Sequence, residues 1–143
     1  MKSIIESVAE WLRENPYLSA EPTTDALRCG VEAAGLFKAP ESVREYYVDG
    51  SFSATEHYLF TLRRESLTEG DRQESERLLE ETVRWIDLQT RAGNLPALSD
   101  GRACWAIGVD GTFSMPSETD TDQIWEMSLA VSYDDKLTTE KEE

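Results

Sequence analysis

A hairpin followed by one long amphipathic helix, between Ser42 and Pro96, constrains the fold of this chain more than any other stretch. Val43–Val48 and Thr55–Arg64 are rich in aromatic and β-branched residues, and they flank the dipeptide Asp49-Gly50. This dipeptide favours the type I′ turn of a two-stranded hairpin, so the two segments are predicted to pair as antiparallel strands. The second strand is predicted to face the core with three alternating side chains, Tyr58, Phe60 and Leu62.

A long helix is predicted after the hairpin, because apolar residues recur there every three or four positions. Asp71 is the predicted N-cap, with Glu74 three residues later, and Gly93 suits the left-handed residue that ends a helix. Pro96 lies where proline often follows such an end. The stripe predicted to face the core consists of Leu78, Leu79, Thr82, Val83, Trp85 and Ile86.

Shorter patterns on either side of this region predict the remaining elements. A first helix is expected over about Ser3–Glu14, because Ser3 and Glu6 can form a capping box. Pro22–Asp25 is predicted to be a loop, and a short strand is predicted within Ala26–Ala34. Two later strands are predicted to pair, and their alternating large side chains are Trp105, Ile107 and Val109 in one and Trp125, Met127, Leu129, Val131 and Tyr133 in the other.

The connector between these two strands and the C-terminus are polar. Ser114–Gln123 has no apolar anchor and contains Pro116, so it is predicted to be an exposed, mobile loop. Residues 136–143 are predicted to form a disordered acidic tail, which leaves residues 1–135 as one domain. The expected fold class is α+β, with two helices packed on one face of a mainly antiparallel sheet of four to five strands.

Charge and hydropathy exclude several classes of partner. The 143 residues include 14 basic and 29 acidic side chains, and the net charge is −15. This charge disfavours binding of nucleic acid or anionic lipid through the general surface. No run approaches the roughly 20 apolar residues that cross a bilayer, and Glu6 interrupts the N-terminus too early for a signal peptide. The protein is therefore predicted to be soluble, made in the cytoplasm and without a membrane partner.

No pattern in the sequence is typical of a catalytic or metal site. His57, the only histidine, is predicted to be a strand-surface or packing residue rather than a catalytic base. Cys29 and Cys104 are predicted to be two buried thiols, since their spacing fits neither a zinc site nor a disulfide framework. The acids of the connector lack the glycine and the closing glutamate of an EF-hand. We therefore expect no enzyme activity, no metal, no cofactor and no small-molecule substrate.

Three features supply candidate interface residues. Trp85 lies at the edge of its helical stripe, and tryptophan is enriched at subunit interfaces. Arg63 and Arg64 end the hairpin strand, where they can meet an acidic surface of a neighbouring copy. A partner can order a polar loop without disturbing the core. The connector therefore contributes three acidic candidates, Glu118, Asp120 and Asp122.

Short motifs along nearly the whole chain resemble a family of phage and prophage minor structural proteins, the tail terminators of long-tailed phages. Members of this family often carry the misleading label of chloramphenicol resistance proteins. Residues 17–40 show no clear match, and the tail from Asp134 extends past the usual end of the family. The motifs that carry the resemblance are Ser3–Val8, the Asp49-Gly50 turn, Tyr58–Leu62, and Gly93-Asn94-Leu95-Pro96 with Leu98 and Gly101.

The resemblance implies a small α+β subunit that forms a ring, commonly a hexamer. Such a ring stops polymerisation of the tail tube and provides the surface that joins the capsid. The implied partners are other copies of the chain, the tail-tube protein and head–tail connector proteins. The implied location is the cytoplasm of the bacterial host and then the head-proximal end of the virion tail. The alternative is a small acidic interaction or immunity-type module that binds a basic protein.

Overall fold

In the described part of the chain, the fold is one five-stranded sheet with two helices on one face. The structure, a computed structural model, describes residues 2–16, 22–23, 32–65, 69–118 and 122–137. The elements are α1 (Ile4–Leu12), β1 (Pro22–Thr23), β2 (Glu32–Tyr46), β3 (Phe52–Glu65), α2 (Glu69–Ala92), β4 (Arg102–Glu118) and β5 (Asp122–Asp135). The strand order is β1-β2-β3-β5-β4, and all pairings are antiparallel except the short parallel pairing of β1 with β2. The predicted α+β class is confirmed.

The first helix begins where the sequence predicts. The Ser3 hydroxyl accepts the Glu6 N–H at 3.3 Å, and the Glu6 carboxylate accepts the Ser3 N–H at 3.4 Å. This capping box satisfies amide groups that have no partner within the helix. Just beyond the other end of α1, the Asn15 side-chain amide donates to the Thr82 hydroxyl at 3.1 Å. The helix is therefore fixed both by its own cap and by a polar contact to α2.

The second helix starts earlier than predicted and ends as predicted. α2 begins at Glu69, so Asp71 lies inside its first turn and the prediction of Asp71 as N-cap is wrong. At the C-terminal end, Gly93 has a φ of 78°, and the Asn94 N–H donates to the Gln89 carbonyl at 2.9 Å. Glycine adopts this φ without a steric penalty, so Gly93 ends the helix as predicted.

The predicted hairpin of β2 and β3 is confirmed, but its turn is of another type. Asp49 is not among the described residues with positive φ, whereas Gly50 has a φ of 91°. A type I′ turn needs positive φ at both central residues, so that prediction is wrong. The Tyr47 N–H donates to the Ser51 carbonyl at 2.8 Å, which closes a three-residue loop. The Asp49 carboxylate accepts the Ser51 N–H at 3.0 Å and stabilises this alternative.

A bulge divides β2 into two halves. The ladder with β3 pairs Lys38 with Tyr58 and resumes only at Ser42. Three residues of β2, Pro40 among them, therefore lie opposite a single residue of β3. A bulge tolerates proline because the residues in it make no regular ladder hydrogen bonds. We call Glu32–Lys38 the proximal half of β2 and Ser42–Tyr46 the distal half.

Two stretches predicted as loops contain strand. Pro22–Thr23 forms β1, which pairs with β2 at Ala34 and Gly35, so the loop prediction for Pro22–Asp25 is wrong at these two residues. Of the strand predicted within Ala26–Ala34, only the part from Glu32 onward lies in a described element, and there it is the start of β2.

The polar connector between β4 and β5 is also mostly strand. The two strands pair as far as Ser117 with Ile124 and Glu118 with Gln123, so the mobile-loop prediction is wrong for most of Ser114–Gln123. Backbone hydrogen bonding does not require apolar side chains, which explains the error. Residues 119–121, and residues 138–143 of the predicted tail, lie outside the described residues.

The core lies between the helices and the covered face of the sheet. Tyr58, Phe60 and Leu62 are 2%, 0% and 0% exposed, which confirms the predicted core face of the hairpin. Trp11 of α1 contacts Trp85 of α2, with ring centroids 4.8 Å apart. The predicted alternation in the last strand is confirmed by five buried residues, Trp125, Met127, Leu129, Val131 and Tyr133. Within the described chain, neither helix is long and apolar enough to span a membrane.

Candidate interaction site

Exposed apolar side chains are concentrated at the end of the β2–β3 hairpin. Seven large hydrophobic side chains are exposed among the described residues, and four of these belong to residues 43–48. We call these four side chains the apolar tip: Val43, Tyr46, Tyr47 and Val48, which are 68%, 64%, 50% and 109% exposed. Single exposed apolar residues are ordinary, but a contiguous group of them marks an interaction surface.

The segment that carries the apolar tip is held in place by packing. We call residues 42–56 the hairpin arm. Phe52 within the arm is 4% exposed, and its ring centroid lies 5.5 Å from that of Tyr46 and 6.4 Å from that of Tyr133. The Arg44 guanidinium lies 4.3 Å from the centroid of the Phe52 ring, and it donates to the Tyr46 hydroxyl at 3.4 Å. The tip is therefore presented on a pre-organised surface.

A buried carboxylate connects the base of the hairpin arm to the rest of the sheet. Glu56 is 6% exposed and accepts hydrogen bonds from the Tyr58 and Tyr133 hydroxyls, each at 2.8 Å. The Lys38 ammonium, across the bulge on β2, lies 3.7 Å from the same carboxylate. We call these four residues the Glu56 cluster. Its members come from β2, β3 and β5, so the cluster links three strands at the point where the β2 ladder is interrupted.

The electrostatics of the cluster keep Glu56 ionised. Burial by itself raises the pKa of a carboxyl group, but the two tyrosine hydroxyls and the Lys38 and Arg44 charges outweigh it and hold the pKa of Glu56 below its ordinary value. Burial, and then the hydrogen bond to Glu56, raise the pKa of both Tyr58 and Tyr133. Both tyrosines therefore remain neutral donors. Sequence reasoning missed this cluster.

A second surface feature is a cleft between α1 and the segment that follows α2. Its volume is about 420 Å³, and it is lined by Ser7, Glu10, Trp11, Glu14, Asn94, Leu95, Pro96 and Ala97. The Trp11 indole N–H donates to the Asn94 carbonyl at 2.9 Å and joins the two walls. Glu10 pairs with Lys2, whereas Glu14 has no ion-pair partner among the described residues. We call this feature the α1 cleft.

His57 and Cys104 do not meet. The register places His57 on the outer face of the sheet, where its Nδ1 lies 3.5 Å from an Asp110 carboxylate oxygen. Cys104 pairs with Tyr133 on the covered face, and burial raises the pKa of its thiol to about 11.

Among the described side chains, no group of three or more His, Cys, Asp and Glu residues is arranged to hold a metal ion. Cys29 lies outside the described residues.

The predicted interface residues do not lie on the apolar tip. Trp85 is 8% exposed and packed against Trp11, so most of its ring is unavailable to a neighbouring subunit. The exposed tryptophan is instead Trp105, at 55%, which lies at a register shift in β4. Its apolar alternation with Ile107 predicted a strand and gave no sign of its exposure.

The remaining predicted residues lie at the opposite end of β3 from the hairpin arm. Arg63 is half-buried there and pairs with Ile124. Arg64 and Glu118 occupy one cross-strand row, because both pair with Gln123. The other two acids are not in this row: Asp122 pairs with Glu65, and Asp120 lies outside the described residues.

Comparison with known proteins adds no further assignment. No protein-family model matches the sequence, and no curated protein matches it significantly. The functional interpretation therefore rests on the apolar tip, the Glu56 cluster and the α1 cleft.

Proposed function

We propose that the chain is a structural protein of a phage or prophage, a subunit of a ring at the head-proximal end of the tail tube. The observation that carries this proposal is the apolar tip, four exposed large apolar side chains on a packed hairpin arm. Such a concentration is typical of a protein–protein interface. A ring subunit needs interfaces of this kind because each copy contacts two neighbours.

The fold and the local motifs support the proposal. The α+β class is the one that the resemblance to tail terminators implies. Two of the motifs behind that resemblance are well-formed structural features, namely the Gly50 turn and the Gly93 helix end. Both features also have a purely structural explanation, so they support the proposal less directly than the apolar tip does.

The charge of the chain fits a ring through which DNA passes. Each subunit has a net charge of −15, and a ring multiplies this charge by the number of copies. Phosphate groups are repelled by such a surface, so DNA can move past it without being retained. In this role the ring stops growth of the tail tube and offers a docking surface to the head–tail connector.

Deletion of the coding sequence from an inducible prophage tests the proposed function. Without a ring to stop polymerisation, we expect tails of irregular and excessive length that carry no capsids, as seen by negative-stain electron microscopy. Expression of the intact chain from a plasmid should restore tails of uniform length joined to heads. Normal virions after deletion would contradict the proposal. Normal virions combined with a stable complex between the chain and a basic protein would support the acidic interaction module instead.

A further inference from the structure

The distal half of β2 leaves backbone hydrogen-bonding groups open at one outer edge of the sheet. The Tyr47 N–H donates to the Ser51 carbonyl, so these two residues form a hydrogen-bonded pair. Such pairs alternate along an antiparallel ladder with pairs whose backbone groups point away from the partner strand. Counting back from Tyr47, the N–H and C=O groups of Ser42, Arg44 and Tyr46 therefore point away from β3. No described strand pairs with the distal half on that side.

The start of β4 leaves a similar segment open at the other outer edge. The Lys136 N–H donates to the Gly101 carbonyl, so the same alternation directs the backbone groups of Arg102 and Cys104 away from β5. The Arg102 N–H agrees with this direction, because it donates to the Ser99 carbonyl in the preceding turn. The Arg102 carbonyl and both backbone groups of Cys104 are left to receive another strand.

The open segment of β4 is short and uncharged. The Thr90 hydroxyl of α2 donates to the Ile107 carbonyl at 2.6 Å, so an added strand finds that carbonyl occupied. The register shift at Trp105 also limits how far such a strand can pair, and the open segment is therefore residues 102–106. Residues 103–109 carry no charged side chain and no proline, which are common means of protecting an edge strand from other strands.

The two open segments lie at the same level of the sheet. One row of paired residues runs across four strands from edge to edge and consists of Arg44, Ala54, Tyr133 and Cys104. Another row leads in the same way from Tyr46 to Arg102. The three pairings are antiparallel, so β2 and β4 run in opposite directions. Rotation about an axis along the strands therefore places β4 of one copy antiparallel to β2 of the next, with Cys104 beside Arg44.

Exposed apolar side chains lie along the same two edges. Besides the four of the apolar tip, the exposed large hydrophobic side chains of the described chain are Leu88 on α2, Trp105 and Leu137. Trp105 lies in the open segment of β4, and Leu137 follows the strand that pairs with it. The row of Val43 ends at Ala106, next to Trp105. Pairing of the two edges therefore removes apolar surface of both from water.

The acids of the hairpin arm do not oppose this contact. Glu45 lies in the row that ends at Ala103, so an uncharged residue faces it. The next acid in that row, Asp134, is one strand further away, at roughly 10 Å, where salt screens charges at a surface. Glu41 lies in the bulge outside the open segment, and the Asp49 carboxylate is held within its own turn.

We propose that copies of the chain assemble edge to edge, with the distal half of β2 in one copy pairing antiparallel with residues 102–106 of β4 in a second copy. Arg44 and Cys104 exchange both of their backbone hydrogen bonds, and the Tyr46 N–H donates to the Arg102 carbonyl. The inference rests on the proposed ring and specifies its contact. The two edges are different surfaces of one chain, so each copy offers one and accepts the other. A contact of this heterologous kind generates a closed ring when its rotation closes.

Proline substitutions at the two edges test the contact. Arg44→Pro and Cys104→Pro each remove an N–H that makes no ladder hydrogen bond within the sheet, so circular dichroism should match that of the wild type. We expect the wild-type chain to form oligomers in a concentration series by native mass spectrometry. Each proline variant should shift at least tenfold toward monomer, because a hydrogen bond is lost and the proline ring crowds the incoming strand. Arg44→Ala and Cys104→Ala keep the N–H groups and are the matched controls, which should associate as the wild type does.

Mixing the two proline variants tests whether the two edges meet each other. An equimolar mixture should give a 1:1 dimer and nothing larger, because the intact β4 edge of Arg44→Pro can pair with the intact β2 edge of Cys104→Pro. Homodimers of Cys104→Pro would indicate that two β2 edges pair, and they would overturn the proposal. A mixture of folded variants that stays monomeric would overturn it as well.

A disulfide tests the register. Glu45 and Ala103 are both exposed, and they end the row next to the proposed hydrogen-bonded pair. Side chains directly opposite in such a position are close enough for a disulfide. Glu45→Cys/Ala103→Cys, with Cys29 and Cys104 replaced by alanine, should therefore give linked oligomers on non-reducing electrophoresis. Glu80→Cys/Ala103→Cys in the same background is the control and should not, since Glu80 is exposed on α2. Absence of cross-links in the first variant would refute the register.

The outcomes separate this inference from the proposed function. Val48 lies beyond the paired segment, so Val48→Ser should weaken association less than either proline does. A ring that forms equally well with Arg44→Pro would overturn the edge contact and leave the ring intact. A wild-type chain that stays monomeric at every concentration would also overturn the contact. In that case the deletion phenotype would still decide whether the chain belongs to a phage tail.

Discussion

The two halves of β2 show how one strand can serve two purposes. On the covered face of the proximal half, Ala34 and Leu36 are 1% and 0% exposed, whereas Tyr46, on the same face of the distal half, is 64% exposed. Packing differs between the halves, because Ala34 and Leu36 belong to the hydrophobic core, whereas residues 41–50 are all exposed. Alternation in the sequence therefore indicates which side chains share a face, but burial of that face depends on what packs against it.

A bulge and a buried polar cluster mark the boundary between the two halves. The bulge interrupts the ladder between Lys38 and Ser42, and the Glu56 cluster joins the strands at the same level. The proximal half therefore stabilises the domain, while the distal half is held by polar contacts and by the packing of Phe52. The predictions below test this division of roles.

Truncation in the proximal half should have the largest effect on stability. Leu36→Ala removes a fully buried side chain and leaves a cavity, so we expect the free energy of unfolding to fall by about 2–5 kcal/mol. Val43→Ala, an apolar truncation on the exposed outer face of the distal half, should cost less than about 0.5 kcal/mol. Urea unfolding followed by tryptophan fluorescence measures both. Equal losses at the two positions would show that the halves do not differ energetically.

Removal of the Glu56 charge should loosen the boundary. In Glu56→Gln one carboxylate oxygen becomes an NH2 group, so one buried tyrosine hydroxyl loses its acceptor and stability should fall by about 1–3 kcal/mol. Hydrogen exchange should accelerate at amides of the hairpin arm more than in the proximal half. Glu45→Gln, an exposed change on the same arm, is the control. Uniform acceleration across the sheet would argue against a local role.

The same cluster gives a pH dependence of known sign. The folded state lowers the pKa of Glu56. The contribution of the ionised carboxylate to the free energy of unfolding is therefore complete above the ordinary carboxyl pKa, and it is lost as the pH falls through the lowered pKa. The difference in unfolding free energy between the wild type and Glu56→Gln should therefore shrink in acid. A difference that grows toward low pH would mean that the assigned direction is wrong.

A change at the hairpin turn should have a smaller effect. Gly50 has a φ of 91° and no atom within contact distance of an added Cβ, so Gly50→Ala introduces backbone strain alone. We expect a loss of about 1 kcal/mol, measured by thermal unfolding. Gly108→Ala is the matched control, because an added Cβ there also meets no atom within 4 Å and its φ is not positive. A loss at Gly108 that matched the loss at Gly50 would exclude backbone strain as the cause.

The smallest effect on folding is expected at the apolar tip itself. Val48 is fully exposed, so Val48→Ser should change the free energy of unfolding by less than about 0.5 kcal/mol. Chemical denaturation of the monomer at low concentration measures this value. A larger loss would mean that Val48 contributes to the fold, and its effect on association could then no longer be ascribed to the interface.

The sequence allowed prediction of the helices and strands that bury one face along their whole length. Residues 125–133 and the stripe around Ile86 each repeat an apolar side chain at one period, and each packs along its whole length. Prediction failed where neighbouring groups decide the outcome. The type of turn at Gly50 follows from the contacts of Asp49 with Ser51. The polar ends of β4 and β5 form strand because each supplies the other with backbone partners.

The candidate site was harder to predict than the fold. Glu56 and Tyr133 are 77 residues apart, and no local pattern indicates that a glutamate on a strand will be buried. Val43–Val48 was predicted to be strand, and the strand pattern gave no sign that all six residues are exposed. Trp85 and Trp105 each belong to an apolar pattern in the sequence, yet Trp85 is buried against α1 and Trp105 is exposed on β4.

The bulge in β2 also interrupts the outer edge of the sheet. Beyond Gly35, no strand in the described part of the chain pairs with the outer edge of β2. An open edge can recruit strands from other chains and start a fibril. Pro40 offers no N–H to an incoming strand, and Lys38 places a charge beside it, so such a strand is stopped at the bulge. The two halves of β2 therefore do not form one continuous template for an added strand.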